Sequence, residues 1–395
     1  MGFQKDLLCT VEFGGEKFQA DVHLEQLDTS TVVAKITPNT LVDALATECF
    51  MESGPEEQPL RLLRTNASLR SMLHPSGENG MHTEINARLE RAEFKYSPFV
   101  DKEGNVSLKF YVTNLPYFQR DKQHIISVSG REVAFSPFKE GAISNLVEIN
   151  DVPYSSLEEV KEIISSICWL ASFACGRLSG IARTEVFRNH ELVYLDLRSI
   201  MTDFKPNIEV IYSDFGSLGI TKFIVECFDE YRRVRNIYLL NNLIHMSIFA
   251  KNSPYRENKA LLMSNFLEIL RYNYALNVGV PNGWLKLDGI DFIWQTGSKK
   301  NKKASFMDIL QHFCQENNIT AWRDDFRDLR NEIVHIGKIE GSNPLERYFS
   351  LHHFCDVVIL SILKWDQQGG HYIPINCPSF NGPNKLGMNI IKFIR

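Results

Sequence analysis

The chain has 395 residues, of which 44% are hydrophobic and 23% charged, and a formal net charge of −5. That length suits two domains, and the balance is that of an ordinary globular protein without an apolar run long enough to span a bilayer. Proteins that coat nucleic acid regardless of sequence are basic, so the acidic sum excludes that class while leaving room for an enzyme with a local positive site.

The first residues, Met1–Leu8, lack the extended apolar stretch of a secretory signal, and a cytoplasmic location is expected. Over the first 150 residues the pattern is mostly β. Leu7–Phe13, Phe18–Leu24, Thr31–Ile36, Ala87–Tyr96, Val106–Val112 and His124–Ser129 show alternation or β-branched enrichment. Turn signals at Gly14-Gly15, Ser53-Gly54-Pro55, Pro75-Ser76-Gly77 and Asp101–Asn105 punctuate them. Short strands with such breaks predict an antiparallel sandwich-like domain or an open barrel.

Ser156-Leu157-Glu158-Glu159 is a capping box that opens a helix running to about Cys175. Its apolar stripe of Val160, Ile163, Ile164, Ile167 and Leu170 is expected to pack on the sheet. Glu185–Leu195 reads as a hairpin turning at Asn189-His190. The eight cysteines show no Cys-x-x-Cys spacing, so reduced, buried thiols are expected rather than a zinc ribbon or a disulfide framework.

From about Gly219 the period changes to that of helices. Candidates are Thr221–Val234, Asn236–Ala250, Asn258–Ala275, Ala304–Asn317, Ile319–Gly337 and Pro344–Trp365. Gly279–Gln295 is expected to be irregular, and Gly297–Lys303 to be an exposed basic loop, either solvated or in contact with RNA. The last 25 residues read as a surface tail with a strand at Met388–Ile394. The predicted class is therefore α+β, with a β-rich domain over residues 1–218 and a helical bundle over 219–395.

The sharpest local signal lies in Ile319–Gly337. Trp322, Phe326, Leu329, Ile333 and Ile336 recur at spacings of three and four and predict the buried stripe. At 100° per residue Arg327, Asn331 and His335 fall on the opposite face, with Arg330 at the border. Imidazole is suited to move protons near neutral pH, and a guanidinium fork matches a phosphate. Each has a bland reading as well. His335 is a surface histidine, Asn331 a solvated amide, and Arg330 a partner for Asp328 or Glu332; Arg327 and Arg323 are helix-surface charges.

Arg330, Asn331 and His335 resemble the signature of the HEPN superfamily, an Arg followed by a polar residue and then a His four to six positions after the Arg. The upstream segment Asn258–Tyr272 resembles the family's early Leu-Glu-rich helix, and the likeness covers roughly the last 40% of the chain. The resemblance implies a metal-independent RNA endonuclease without cofactors. His335 would assist proton transfer, Arg330 would stabilise the phosphate and Asn331 would position groups. It also implies a homodimer, because family sites form where two such units meet. Glu268, within Phe266–Leu270, is an accessory candidate for pairing with Arg330, as is Arg327 for the same face.

A β-rich front half joined to such a unit looks like Apea-like abortive-infection proteins of bacteria. That layout implies antiviral defence in the cytoplasm, with RNA as substrate and a possible phage-derived trigger. The alternatives are a non-catalytic HEPN dimerisation or binding module, or a β-sandwich recognition protein with a helical dimerisation end. Control by a nucleotidyltransferase acting on a Tyr just after the motif His is doubtful, since Ile336-Gly337-Lys338 follow His335 and the next Tyr is Tyr348. His352 or His353 with Asp356 offers a possible metal-ligand pair one helical turn apart, although packing beside the core fits their apolar neighbours better. Phosphate-loop, acyl-transfer elbow and His-Glu-x-x-His motifs are missing from the sequence.

Overall fold

The computed structural model describes residues 3–13, 16–27, 30–38, 49–53, 60–66, 85–95, 104–115, 123–201, 210–211, 218–321, 323, 325–339, 344–365, 371–372 and 391–392. The chain is α+β and divides into two compact units: Met1–Cys168 with Ser179–Asp203, and Trp169–Leu178 with Phe204–Arg395.

The first unit is built on one antiparallel sheet. Its strands are β1 (Gln4–Phe13), β2 (Glu16–Gln26), β3 (Val32–Pro38), β4 (Cys49–Ser53), β5 (Leu60–Asn66), β6 (Ile85–Lys95), β7 (Asn105–Thr113), β8 (His124–Val128), β9 (Arg131–Glu140), β10 (Ile143–Pro153), β11 (Gly180–Arg188) and β12 (Glu191–Arg198). They are hydrogen-bonded in the order β3-β2-β1-β4-β5-β6-β12-β11-β7-β10-β9-β8. One edge of β6 pairs with β5, and the other pairs first with β3 and then with β12. The β3–β6 pairing closes the first six strands into a ring.

Period-two alternation explains the ring's interior. Val22 and Leu24, then Val32, Ala34 and Ile36, then Ala92 and Phe94 face one apolar core, which Leu195 and Leu197 join. The β11–β12 hairpin turns where expected, with Asn189 at φ 50° and His190 at φ 69°. Two consecutive positive φ angles are what a tight hairpin of the favoured twist demands.

Strands β4, β5, β9 and β10 lie outside the sequence expectations. Pro137 hides β9, because proline reads as a strand breaker. It is tolerated here because β8 pairs only as far as Phe135, and the β9–β10 register shifts beside it. Helix α1 (Leu157–Cys175) follows a short 3-10 turn at Tyr154–Ser156. Its early residues Glu159 and Lys161 approach Arg131 on β9 and the Tyr194 ring on β12, and Val160, Ile163, Ile164 and Ile167 are buried.

The second unit contains α2 (Leu218–Tyr238), α3 (Leu240–Asn252), α4 (Arg256–Tyr274), α5 (Phe306–Glu316), α6 (Phe326–Ile336) and α7 (Pro344–Ile362). Helix α4 is central and packs against α2, α3, α5, α6 and α7. Ala260, Met263, Phe266, Leu267 and Leu270 give it an apolar band wide enough for several neighbours.

Gly279–Gln295 is structured rather than irregular. A π-helical turn at Ala275–Gly279 extends α4, and β13 (Leu285–Asp288) pairs with β14 (Asp291–Trp294). Gly279 is required because a Cβ there would lie 2.8 Å from Leu285 and 2.9 Å from Trp284. The Trp284 ring stacks on His312 at 4.2 Å and on Trp294 at 5.5 Å, and His312 Nδ1 hydrogen-bonds the Tyr274 hydroxyl at 2.9 Å. The expected tail strand contributes Ile391–Lys392, paired with His371–Tyr372.

All five cysteines whose environment is described are buried thiols, and burial pushes Cys168, Cys175 and Cys314 up to about 12. Among the described residues no helix is long and apolar enough to cross a membrane.

Candidate active site on helix α6

Helix α6 begins at Phe326, seven residues later than the sequence pattern predicts. The cause is the end of α5. Asn318 has a φ of 54°, its N–H bonds to the Gln315 carbonyl, and the Ile319 N–H reaches back to Cys314 at 2.8 Å. This six-to-one closure makes Ile319 the apolar seal of α5 rather than the start of α6. Arg323 consequently lies off α6, forked onto Asp325 at 3.0 and 3.1 Å and bonded to Ser350 at 2.9 Å. Gly337 closes α6 at φ 76°, donating to Glu332 and Ile333.

Phe326, Leu329 and Ile333 form the buried stripe, as the spacing predicts. Ile336 does not. It is 54% exposed, because it sits in the last turn, where no element among the described residues covers it. Trp322 lies outside the described residues.

Arg330 points across to α4. Its Nη2 donates to Glu268 Oε1 at 2.9 Å, and its Nη1 donates to Asn331 Oδ1 at 2.9 Å. Glu268 also accepts from Arg271 Nε at 3.1 Å, so one carboxylate bridges two guanidinium groups. The Arg330 guanidinium carbon lies 5.9 Å from the centre of the Phe306 ring, at the start of α5. Arg330 Nε is buried without a hydrogen-bond partner, and the side chain as a whole is 28% exposed. The cluster of Arg330, Arg271 and Glu268 carries a net charge of +1, shielded on one side by an aromatic ring. Such a fork is held in place before any ligand arrives, which is the condition for electrostatic stabilisation of a developing phosphate charge.

Glu268 is thus the partner of Arg330; neither Asp328 nor Glu332 is. Residues two apart on a helix do not face each other. Asp328 accepts from Arg327 at 3.2 Å instead, and Glu332 holds Arg347 of α7 through two bonds of 2.8 and 3.0 Å. Arg327 is exposed and makes no contact with Arg330 or Glu268 among the described residues. His335 is exposed in the last turn of α6, with no partner among the described residues, and Val334 and Ile336 on either side of it are also exposed. Arg330, Asn331 and Glu268 are therefore one bonded group, and His335 stands apart from it towards the helix end. Arg271 and Phe306 are the members that motif reading misses. The Glu268/Arg271 spacing of three was the available clue.

Helix α7 holds a second polar group. Asp356 is fully buried and accepts from Lys251 Nζ at 2.8 Å and from Ser247 Oγ at 3.1 Å. His352 is also fully buried, and its Nδ1 is 3.8 Å from Asp356, too far for a hydrogen bond. An ammonium already occupies the place a cation would take, so this group is a packed ion pair. Among the described residues no three potential ligands cluster in a way that could hold a metal ion.

No family model matches the chain, and neither a curated protein nor a solved structure matches it.

Proposed function

We propose that the chain is an endoribonuclease of the HEPN type, working without a metal ion as a homodimer in bacterial antiviral defence. The observation that supports this best is the pre-set guanidinium of Arg330, held by Glu268 and Asn331, with an uncommitted imidazole on the same helix.

In the proposed reaction the ribose 2′-oxygen attacks the adjacent phosphorus. A new O2′–P bond forms, the P–O5′ bond breaks, and the products are a 2′,3′-cyclic phosphate and a free 5′-hydroxyl. Arg330 meets the charge that grows on the non-bridging oxygens. Two protomers supply two His335 side chains, one to take the 2′-hydroxyl proton and one to deliver a proton to O5′. The exposed Val334 and Ile336 support dimerisation at this helix end, since a second copy would remove them from water. In this reading the β-rich unit responds to a phage-derived trigger in the cytoplasm.

A second reading has its own support. The Glu268–Arg330 pair would equally serve as a structural clamp in a non-catalytic dimerisation module. Inducible expression separates the two. The wild-type chain should arrest growth and degrade RNA, while Arg330→Ala and His335→Ala, shown to be folded by circular dichroism, should do neither. Equal toxicity of both variants rules out the enzyme.

A further inference from the structure

Resting on the ribonuclease reading, we propose that the Gly297–Lys303 loop is the track that holds the RNA backbone on its way to Arg330. The loop carries four lysines and no acid, in a chain whose net charge is −5. It is pinned rather than loose. Trp294 N–H donates to the Lys302 carbonyl at 3.0 Å, Asn301 N–H to Trp294 at 2.7 Å, and Ala304 N–H to Phe292 at 2.7 Å. Lys303 bridges Ile293, so the loop forms a third rung on the β13–β14 ribbon, itself fixed by the Trp284, Trp294 and His312 stack.

Two of the lysines are committed: Lys299 to Asp308, and Lys303 to Asp291 at 2.8 Å. Burial pushes the Asp308 carboxyl up, but Lys299 and the Ser305 cap outweigh it and hold it below the usual carboxylate range. Lys300 and Lys302 are exposed and have no acidic partner among the described residues. Lys286 stands across Ile293 on the face of Lys303, the lysine already paired with Asp291.

The loop also lies close to the candidate site. Lys303 is three residues from Phe306, the ring under the Arg330 guanidinium, so their Cα atoms are at most about 11 Å apart. Lys302 and Lys300, four and six residues before Phe306, thus lie within a few nucleotides' reach of a phosphate held at Arg330. The ligand class is single-stranded RNA, gripped by its phosphates without reading its bases.

The test uses the full-length chain and a fluorescent 2′-O-methyl oligonucleotide, which cannot be cleaved because it has no free 2′-hydroxyl. Affinity is measured against salt for wild type and for Lys300→Gln/Lys302→Gln, and cleavage of ordinary RNA is followed in parallel. Each phosphate contact on a single strand adds about 0.7 to the log–log salt slope, so the double variant should lose about 1.4. Its KM for RNA should rise while kcat holds, because the lost contacts are uniform binding. A wild type that binds but does not cleave, with the slope still reduced in the variant, ends the nuclease reading and keeps the track. Wild type and variant that cleave alike, with equal slopes, end the track and keep the nuclease. A wild type that does not bind the oligonucleotide overturns the track as well.

Discussion

Lys251→Met tests the energetic core of the helical unit. Lys251 and Asp356 each leave 2% of their side-chain surface exposed, and Asp356 accepts from Ser247 Oγ beside their 2.8 Å bond. Removing the ammonium strands a carboxylate in an apolar interior, which costs about 3–5 kcal/mol. With a urea slope of about 2 kcal/mol per molar, a 4 kcal/mol loss lowers the midpoint by about 2 M. All five tryptophans (Trp169, Trp284, Trp294, Trp322 and Trp365) belong to this unit, so intrinsic fluorescence reports its unfolding. Lys251→Met/Asp356→Leu removes both charges and should cost far less than the two single changes summed. The pH dependence gives a second readout. Burial alone would raise the Asp356 carboxyl, but the Lys251 ammonium and the hydrogen bonds from Lys251 and Ser247 outweigh it and set it below its ordinary value. A folded value below the unfolded one adds stability that is present above about pH 4 and lost as pH falls through the folded value. In Lys251→Met burial is no longer offset by the ammonium, the carboxyl moves up, and the sign reverses: the variant should lose stability as pH rises through the raised value. A single-variant cost under about 1 kcal/mol, or an additive double-mutant cycle, would show that the pair does not carry this weight.

Other changes have separate signatures. Glu268→Gln keeps the shape but removes the charge that orients Arg330, so kcat on RNA should drop about 10- to 100-fold. Its stability should change by less than about 1 kcal/mol, because both partners of this pair are about a third exposed; unchanged kcat would remove Glu268 from the site. Gly337→Ala meets no atom within 4 Å but forces a side chain onto a φ of 76°, so chemical denaturation should show a loss of about 1–2 kcal/mol. No measurable loss would mean that the last turn of α6 opens without cost. His352 has neither ring nitrogen hydrogen-bonded, and burial drives it down to about 3, so it stays neutral. His352→Leu should therefore leave stability unchanged or raise it by about 1 kcal/mol, and a clear loss would reveal a partner for the ring.

The sequence made much of this architecture legible wherever one periodicity dominated. Alternation located β1, β2, β3, β6 and β7, and the Asn189-His190 turn announced its hairpin. The failures have physical causes. Pro137 masked a strand that needs no N–H on that side, and Asn318 ended α5 by adopting a left-handed backbone that side-chain pattern does not reveal. Ile336 fitted the stripe by angle, yet burial depends on what lies opposite, and among the described residues nothing covers it. At the site, helical geometry placed Arg330 on the border between faces, and its reach to Glu268 followed from α4 lying alongside. Arg271 and Phe306 came only with the tertiary structure, because three separate elements bring them together.

The chemistry of the RNA ends tests the central claim most directly. Purified wild type is incubated with RNA in EDTA, and the products are labelled at their 5′ ends by polynucleotide kinase without prior phosphatase. The account expects immediate labelling, marking 5′-hydroxyls, together with 2′,3′-cyclic phosphates on the upstream fragments, and no fragments from folded Arg330→Ala or His335→Ala. Products with 5′-phosphates, cleavage abolished by EDTA, or undiminished cleavage by either variant would contradict it.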